Sequence, residues 1–239
     1  MKRIGLFACL LLLITAVQAQ SVTVNDANAR KRDVGAFTGV KVSQGIELLL
    51  QQGNEDAVAV SSSRAEYQDR IKTEVTGGVL RISIEDRNYS SNWRKGVKFR
   101  AYVSVRQLEK LIVSSGASAR TGNVISVARL ELDASSGGTI DGEFKRQRIE
   151  SDNSSGSVTT VKGSVDFVSV KASSGSIFKG FDLSAVNGNV DASSGGSISV
   201  TVTKEMDAEA TSGGDVKYRG GAVIRNMRTS SGGSVRSNS

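Results

Sequence analysis

Leu130-Glu131-Leu132-Asp133-Ala134-Ser135-Ser136-Gly137 is answered one period later by Ile149-Glu150-Ser151-Asp152-Asn153-Ser154-Ser155-Gly156. The same closing triplet stands at Ser114-Ser115-Gly116, Ser173-Ser174-Gly175, Ser193-Ser194-Gly195, Thr211-Ser212-Gly213 and Ser230-Ser231-Gly232. Its glycines advance by 21, 19, 19, 20, 18 and 19 residues (116→137→156→175→195→213→232). A period near twenty, sustained over half a chain, is the signature of a solenoid.

The residues before each triplet alternate. Five back from the glycine stand Leu111, Leu132, Ser151, Val170, Val190, Ala208 and Met227; three back stand Val113, Ala134, Asn153, Ala172, Ala192, Ala210 and Thr229. Polar residues fill most positions between, with Asp133, Asp152, Lys171 and Asp191 four back. This period of two predicts a strand with one face in and one face out. Apolar residues resume two or three positions after the glycine (Ile140, Val158, Ile177, Ile198, Val216, Val235), so a second strand starts there. The triplet is the corner between them, where glycine tolerates unusual backbone angles and serine hydroxyls reach nearby backbone. Nineteen extended residues at ~3.3 Å make a perimeter of roughly 60 Å, or about three sides of six residues. A β-sandwich with Gly-rich turns also has regular short strands. The solenoid is preferred because like residues recur at like positions.

Upstream lie other β patterns. Val40 and Val42 alternate with Lys41 and Ser43, and Ile46 to Leu50 and Ala57 to Val60 are further apolar runs. Residues 71–84 read as a hairpin around Gly77-Gly78, which supply the positive φ angles of a tight turn. Residues 85–96, with Tyr89 and Trp93, read as a surface loop, and 97–105 as a two-faced strand. The expected organisation is a leader at 1–19, a loose lead-in at 20–35 containing Arg30-Lys31-Arg32, an N-terminal β region at 36–107 and the repeat solenoid at 108–239.

The leader combines Lys2 and Arg3, an apolar stretch from Ile4 to Val17, and Val17-Gln18-Ala19 as a cleavage site, which predicts export and a mature start at Gln20. Cys9, the one cysteine, lies inside the apolar stretch and reads as part of the leader, so no disulfide is expected afterwards. The formal charge is 31 − 24 = +7, or 29 − 24 = +5 without Lys2 and Arg3. Such a balance suits either contact with anionic sugars or nucleic acid, or an ordinary soluble surface. No later stretch is long and apolar enough for a membrane helix.

With no histidine, and no cysteine after the leader, Ser-His-Asp and Cys-His catalysis and His- or Cys-ligated zinc are excluded. The repeated serines lack a base and read as structural. Stacking should bring Glu131 beside Glu150 and Asp133 beside Asp152 on the outer face. Four carboxylates there are the candidate Ca²⁺ patch, and an imitation of a glycosidase acid pair. The competing expectation is a solvated face offset by Arg129 and Arg148. Arg94, Lys95, Lys98 and Arg100, with Trp93 and Phe99, are the nucleic-acid candidates, but such charges also dress any outer strand face. Nucleic acid is not the favoured partner, and no cofactor is expected.

Val40-Lys41-Val42-Ser43-Gln44-Gly45-Ile46-Glu47-Leu48, then Gln51-Gln52-Gly53, resembles the opening of the head GIN domain family, whose suggested role is adhesion. Where that family shows Gly-Ile-Asn, this chain has Gly45-Ile46-Glu47. Val79-Leu80-Arg81-Ile82, Val103-Ser104-Val105 and Leu108-Glu109-Lys110-Leu111 extend the likeness, which spans roughly 33–219. The resemblance implies a right-handed parallel β-helix-like fold, export, and no catalytic residues. The expectation is an all-β, non-enzymatic binding module in the periplasm or on the cell surface, contacting a glycan or other surface component. The alternatives are a polysaccharide-active enzyme using the outer carboxylates, or a periplasmic structural protein without a ligand. Oligomerisation is compatible with this reading.

Overall fold

A computed structural model describes residues 26–85 and 95–238. It is a β-solenoid of about seven turns, 65% strand and 3% helix. The strands, in chain order, are β1 (Arg30–Arg32), β2 (Gly39–Val42), β3 (Glu47–Gln52), β4 (Ala57–Ser62), β5 (Ile71–Thr76), β6 (Val79–Ile84), β7 (Phe99–Val105), β8 (Lys110–Val113) and β9 (Ser118–Thr121). Longer ones follow: β10 (Ile125–Ala134), β11 (Thr139–Asn153), β12 (Val158–Ala172), β13 (Ile177–Ala192) and β14 (Ser197–Ala210). The last coil is β15 (Asp215–Arg219), β16 (Val223–Thr229) and β17 (Ser234–Ser237).

Each coil stacks on the next in parallel and in register. Leu130 pairs with Ile149, Leu132 with Ser151 and Ala134 with Asn153, and those in turn with Val168, Val170 and Ala172. Alternation then aims equivalent side chains into one core. The positions three, five and seven back from each corner glycine are buried from β10 through β14, Gly188 included. A coil is less even than three equal sides. In β11, inward residues alternate over 139–144 and again over 149–153, and the exposed run Lys145-Arg146-Gln147 bends the strand between them.

The Ser-Ser-Gly triplets are the corners. The middle serine and the glycine both have positive φ, 49° and 71° at Ser136-Gly137 and 51° and 69° at Ser155-Gly156, as in a type I′ turn. Gly175, at φ 70°, lies in the same turn one coil on. Gly138 N–H closes the turn by donating to Ser135 O at 2.9 Å. The corners also bond to one another: Gly116 N–H donates to Ser136 O, Gly137 to Ser155 and Gly156 to Ser174, at 3.0–3.1 Å. A backbone ladder therefore runs along this edge of the rod.

The same corner occurs far upstream. Gln44 (φ 62°) and Gly45 (φ 75°) join β2 to β3, and Gly45 N–H donates to Ser115 O. β2 pairs with β8 and β3 with β9, so Ser43-Gln44-Gly45 is the corner of the first coil. From there the chain runs to the head of the rod and returns. β6 and β7 lie on the far side of β2 and β3, forming an outer layer. Antiparallel strands finish it: β5 on β6 through the Gly77-Gly78 hairpin, and β4 on β7 with β1 beyond. Arg30–Arg32, expected within a loose lead-in, is thus a strand. Its partner β4 lies some thirty residues downstream, which local pattern does not reveal. The leader and Cys9 lie outside the described residues, as do Tyr89, Trp93 and Arg94.

Candidate functional site

Two sheets meet at the corner ladder. The one that follows the corners begins with β1, β4, β7, β3 and β9 and continues through the first halves of β11 and β12. Its outer face holds an open groove of about 680 Å³ near the head. Alternation alone decides which side chains reach it. Glu47 and Leu49 come from β3, Arg100 and Tyr102 from β7, Arg120 from β9 and Asp141 from β11. Leu48, Ala101, Ala119 and Ile140, between them, point into the core.

The charges in the groove pair across neighbouring strands. Arg100 Nε donates to Glu47 Oε2 at 3.1 Å, and Arg120 Nε stands 3.9 Å from Asp141 Oδ2. Tyr102 is fixed from behind. Its hydroxyl donates to Asp26 Oδ2 at 2.7 Å, and Ser61 Oγ donates to the same oxygen at 2.6 Å. These two bonds hold the Asp26 carboxyl below its ordinary range. Burial, reinforced by Asp26, pushes the Tyr102 phenol up, so it stays protonated at neutral pH. Ser118, Thr139 and Thr160 add hydroxyls, and Val158 adds apolar surface. The groove therefore offers apolar patches, hydroxyls and matched charges.

The opposite sheet carries the carboxylates anticipated from the repeat. Glu131 pairs in register with Glu150, and Asp133 with Asp152. Glu131, Glu150 and Asp152 border an open depression of about 300 Å³. Lys110 Nζ lies 2.7 Å from Glu131, while Arg129 (2.9 Å) and Arg148 (2.5 Å) both hold Glu150. Arg148 above all keeps the Glu150 carboxyl below its usual range. Asp133 is pushed up, first by burial and then by the charge of Asp152. Among the described residues no three acidic side chains converge as a metal-binding group.

A family model described as "Putative auto-transporter adhesin, head GIN domain" matches residues 36–222. The chain belongs to this head GIN domain family. In its three-dimensional setting, the Gly45-Ile46-Glu47 stretch of this head GIN domain is the exit from the first corner. Gly45 takes the left-handed turn, Ile46 is fully buried and Glu47 opens the groove-facing side of β3. A search of curated proteins finds no match. Solved structures share the fold. A "putative adhesin" from Bacteroides fragilis superposes with TM-score 0.79 at 14% identity, covering 88% of this chain and 96% of that one. A "putative lipid binding protein" from Parabacteroides distasonis gives 0.67 at 20% identity, with 88% and 96% covered. A "putative adhesin" from Parabacteroides merdae gives 0.59 at 14%, with 88% and 95% covered.

Of the nucleic-acid candidates, Lys95, Lys98, Phe99 and Arg100 lie in the described part of the head GIN domain. Phe99 is buried at 4% exposure and Arg100 is committed to Glu47, while Lys95 and Lys98 are exposed. Tyr102 lies within the two-faced strand expected over 97–105, but the sequence pattern does not join it to Arg120 and Asp141. The available signal was alternation in β7 combined with the corner at Gly45, which sets the register of β3 against β9. No helix among the described residues is long and apolar enough to cross a membrane.

Proposed function

We propose that the protein is an exported, non-catalytic binding module that attaches to a polymeric surface ligand of the glycan class. The observation that carries this reading is the groove. Its residues come from five strands of a rigid stacked sheet, so its shape is set before any ligand arrives, and preorganisation lowers the cost of binding. Tyr102, Leu49 and Val158 suit the apolar faces of sugar rings. Ser118, Thr139, Thr160 and the paired charges suit their hydroxyls. The adhesin labels of the family and of two structural neighbours agree with a surface-binding role. The leader at 1–19 agrees with export.

The absence of histidine throughout the sequence and the double arginine clamp on Glu150 favour binding over hydrolysis at the outer carboxylates. The lipid named for one neighbour is a less good fit to a groove rich in hydroxyls and ion pairs.

Glycan arrays and whole-cell adhesion assays test the reading. The exported protein should bind at least one glycan class, and Tyr102→Ala combined with Arg120→Ala should weaken that binding about tenfold or more. Binding no better than a control with a scrambled outer surface sinks it. Protease shaving of intact cells tests surface display; complete protection would restrict the protein to the periplasm.

A further inference from the structure

The outer face that carries the groove does not stop at Tyr102. Register sets Lys31, Ala59, Tyr102, Leu49, Arg120 and Asp141 opposite one another in turn, on β1, β4, β7, β3, β9 and β11. With neighbouring strands ~4.8 Å apart, this row is about 24 Å long and runs along the rod axis. The groove takes up the part from Tyr102 to Asp141. On the other side of Tyr102, over β4, lies a second depression of about 250 Å³. Tyr102 lines both.

Short side chains create this depression. Ala57 and Ala59 take the outward positions of β4 on either side of buried Val58, and a methyl group is too small to fill the face. Longer side chains, Tyr102, Lys31 and Glu55, border it. Its walls are fixed. Ser104 Oγ donates to Glu55 O at 2.8 Å, Arg106 holds Asp56 at 2.9 Å, and Asp26 holds the Tyr102 hydroxyl.

Size and charge indicate what fits. Ligand sites commonly enclose about 300–1,000 Å³. The groove falls inside that range and the second depression below it, so the depression extends the groove and does not stand as a separate site. Together they are bordered by three cations (Lys31, Arg100 and Arg120) and three carboxylates (Glu47, Glu55 and Asp141). These charges balance, and no excess draws in a polyanion.

We propose that the depression over β4 is a second sugar subsite, continuous with the groove through Tyr102, and that the ligand is an uncharged linear glycan lying along the rod axis across both. This rests on the glycan reading of the groove. The row continues past Asp141 to Thr160 and Lys179, so the interior of a long chain is accommodated as well as its end. A fragment confined to one subsite binds weakly, and affinity rises with chain length until both are filled.

Isothermal titration calorimetry on the purified exported protein tests this. The probes are size-graded cello-, xylo-, malto- and laminari-oligosaccharides, with alginate as the polyanion. At least one neutral series should bind, its affinity rising about tenfold or more from the disaccharide to the longest soluble member. That binding should change little with salt. Ala59→Trp, which fills the second depression, should remove most of the gain with length. Should that variant fail to fold, Lys31→Ala with Glu55→Ala, both exposed at the rim, should reduce the gain in its place. Affinity that does not rise with length, a gain that survives these variants, or tightest binding to alginate overturns this inference and leaves the glycan reading standing. If none of the probes binds, both fall.

Discussion

Asn153 sits at a position where the neighbouring coils carry Ala134, Ala172 and Ala192, and it is fully buried. Its Nδ2 donates to Ser151 Oγ at 3.0 Å and to Lys171 O at 3.1 Å, and its Oδ1 accepts from Thr159 Oγ1 at 2.6 Å. Ser151 and Thr159 are themselves buried. Ser151, Asn153 and Thr159 thus form a polar cluster inside the bore, with the buried Ser157 and Ser176 beside it. Each bond contributes about 1 kcal/mol net, and each buried group left without a partner costs about 1–3 kcal/mol. Asn153→Ala removes three bonds and strands two hydroxyls, so a loss of about 2–4 kcal/mol is expected. The triple change Ser151→Val, Asn153→Ala, Thr159→Val installs apolar types like those of adjacent coils. It removes both sides of each side-chain pair, and should fall within about 1 kcal/mol of the parent. Urea denaturation followed by far-UV circular dichroism reads this as a shift of midpoint at constant slope. A loss below about 0.5 kcal/mol for Asn153→Ala, or a triple variant less stable than the single, would refute the claim that the cluster is held by mutual satisfaction.

Three other expectations concern the corner, pH and metal. Ser155 has a left-handed φ of 51°; Ser155→Gly should raise stability by up to about 1 kcal/mol, and Ser155→Ile should lower it by about 1–2 kcal/mol, both read from thermal melts. Asp133 has a raised folded-state pKa, so its charged form weakens the fold above that pKa and the penalty fades as pH falls through it. Asp133→Asn should therefore be the more stable protein at pH 7, with its advantage shrinking towards pH 4, in melts across that range. Millimolar Ca²⁺, compared with Mg²⁺ and chelator, should leave the melting temperature unchanged, because Glu131 and Glu150 are already engaged by Lys110, Arg129 and Arg148.

Much of this protein is legible because a solenoid converts sequence period into spatial adjacency. Leu132 sits beside Ser151 for the same reason that Gly137 precedes Gly156 by 19 residues. The carboxylate rows and the nearby arginines could be placed from spacing alone, and the Gly77-Gly78 hairpin from its turn residues. The first corner was hidden. Gly45 and Gly116 are 71 residues apart (116 − 45), since the chain builds the head between them, so no period links them. Gln44 also occupies the position of the middle serine, which removes the tripeptide signal. The groove was lost with that register, because it needs β3 and β7 beside β9 and β11.

The sequence by itself determined the repeating unit: strand, Ser-Ser-Gly corner, strand, with fixed inward and outward positions. Those features depend on side-chain alternation and on backbone freedom at a glycine, both encoded within a few residues. Only the tertiary structure decided how the head of the rod closes. Whether an edge is capped, as at β1 and β5, depends on pairings between segments far apart in the chain. Hydrogen bonds between distant strands leave no local period to read.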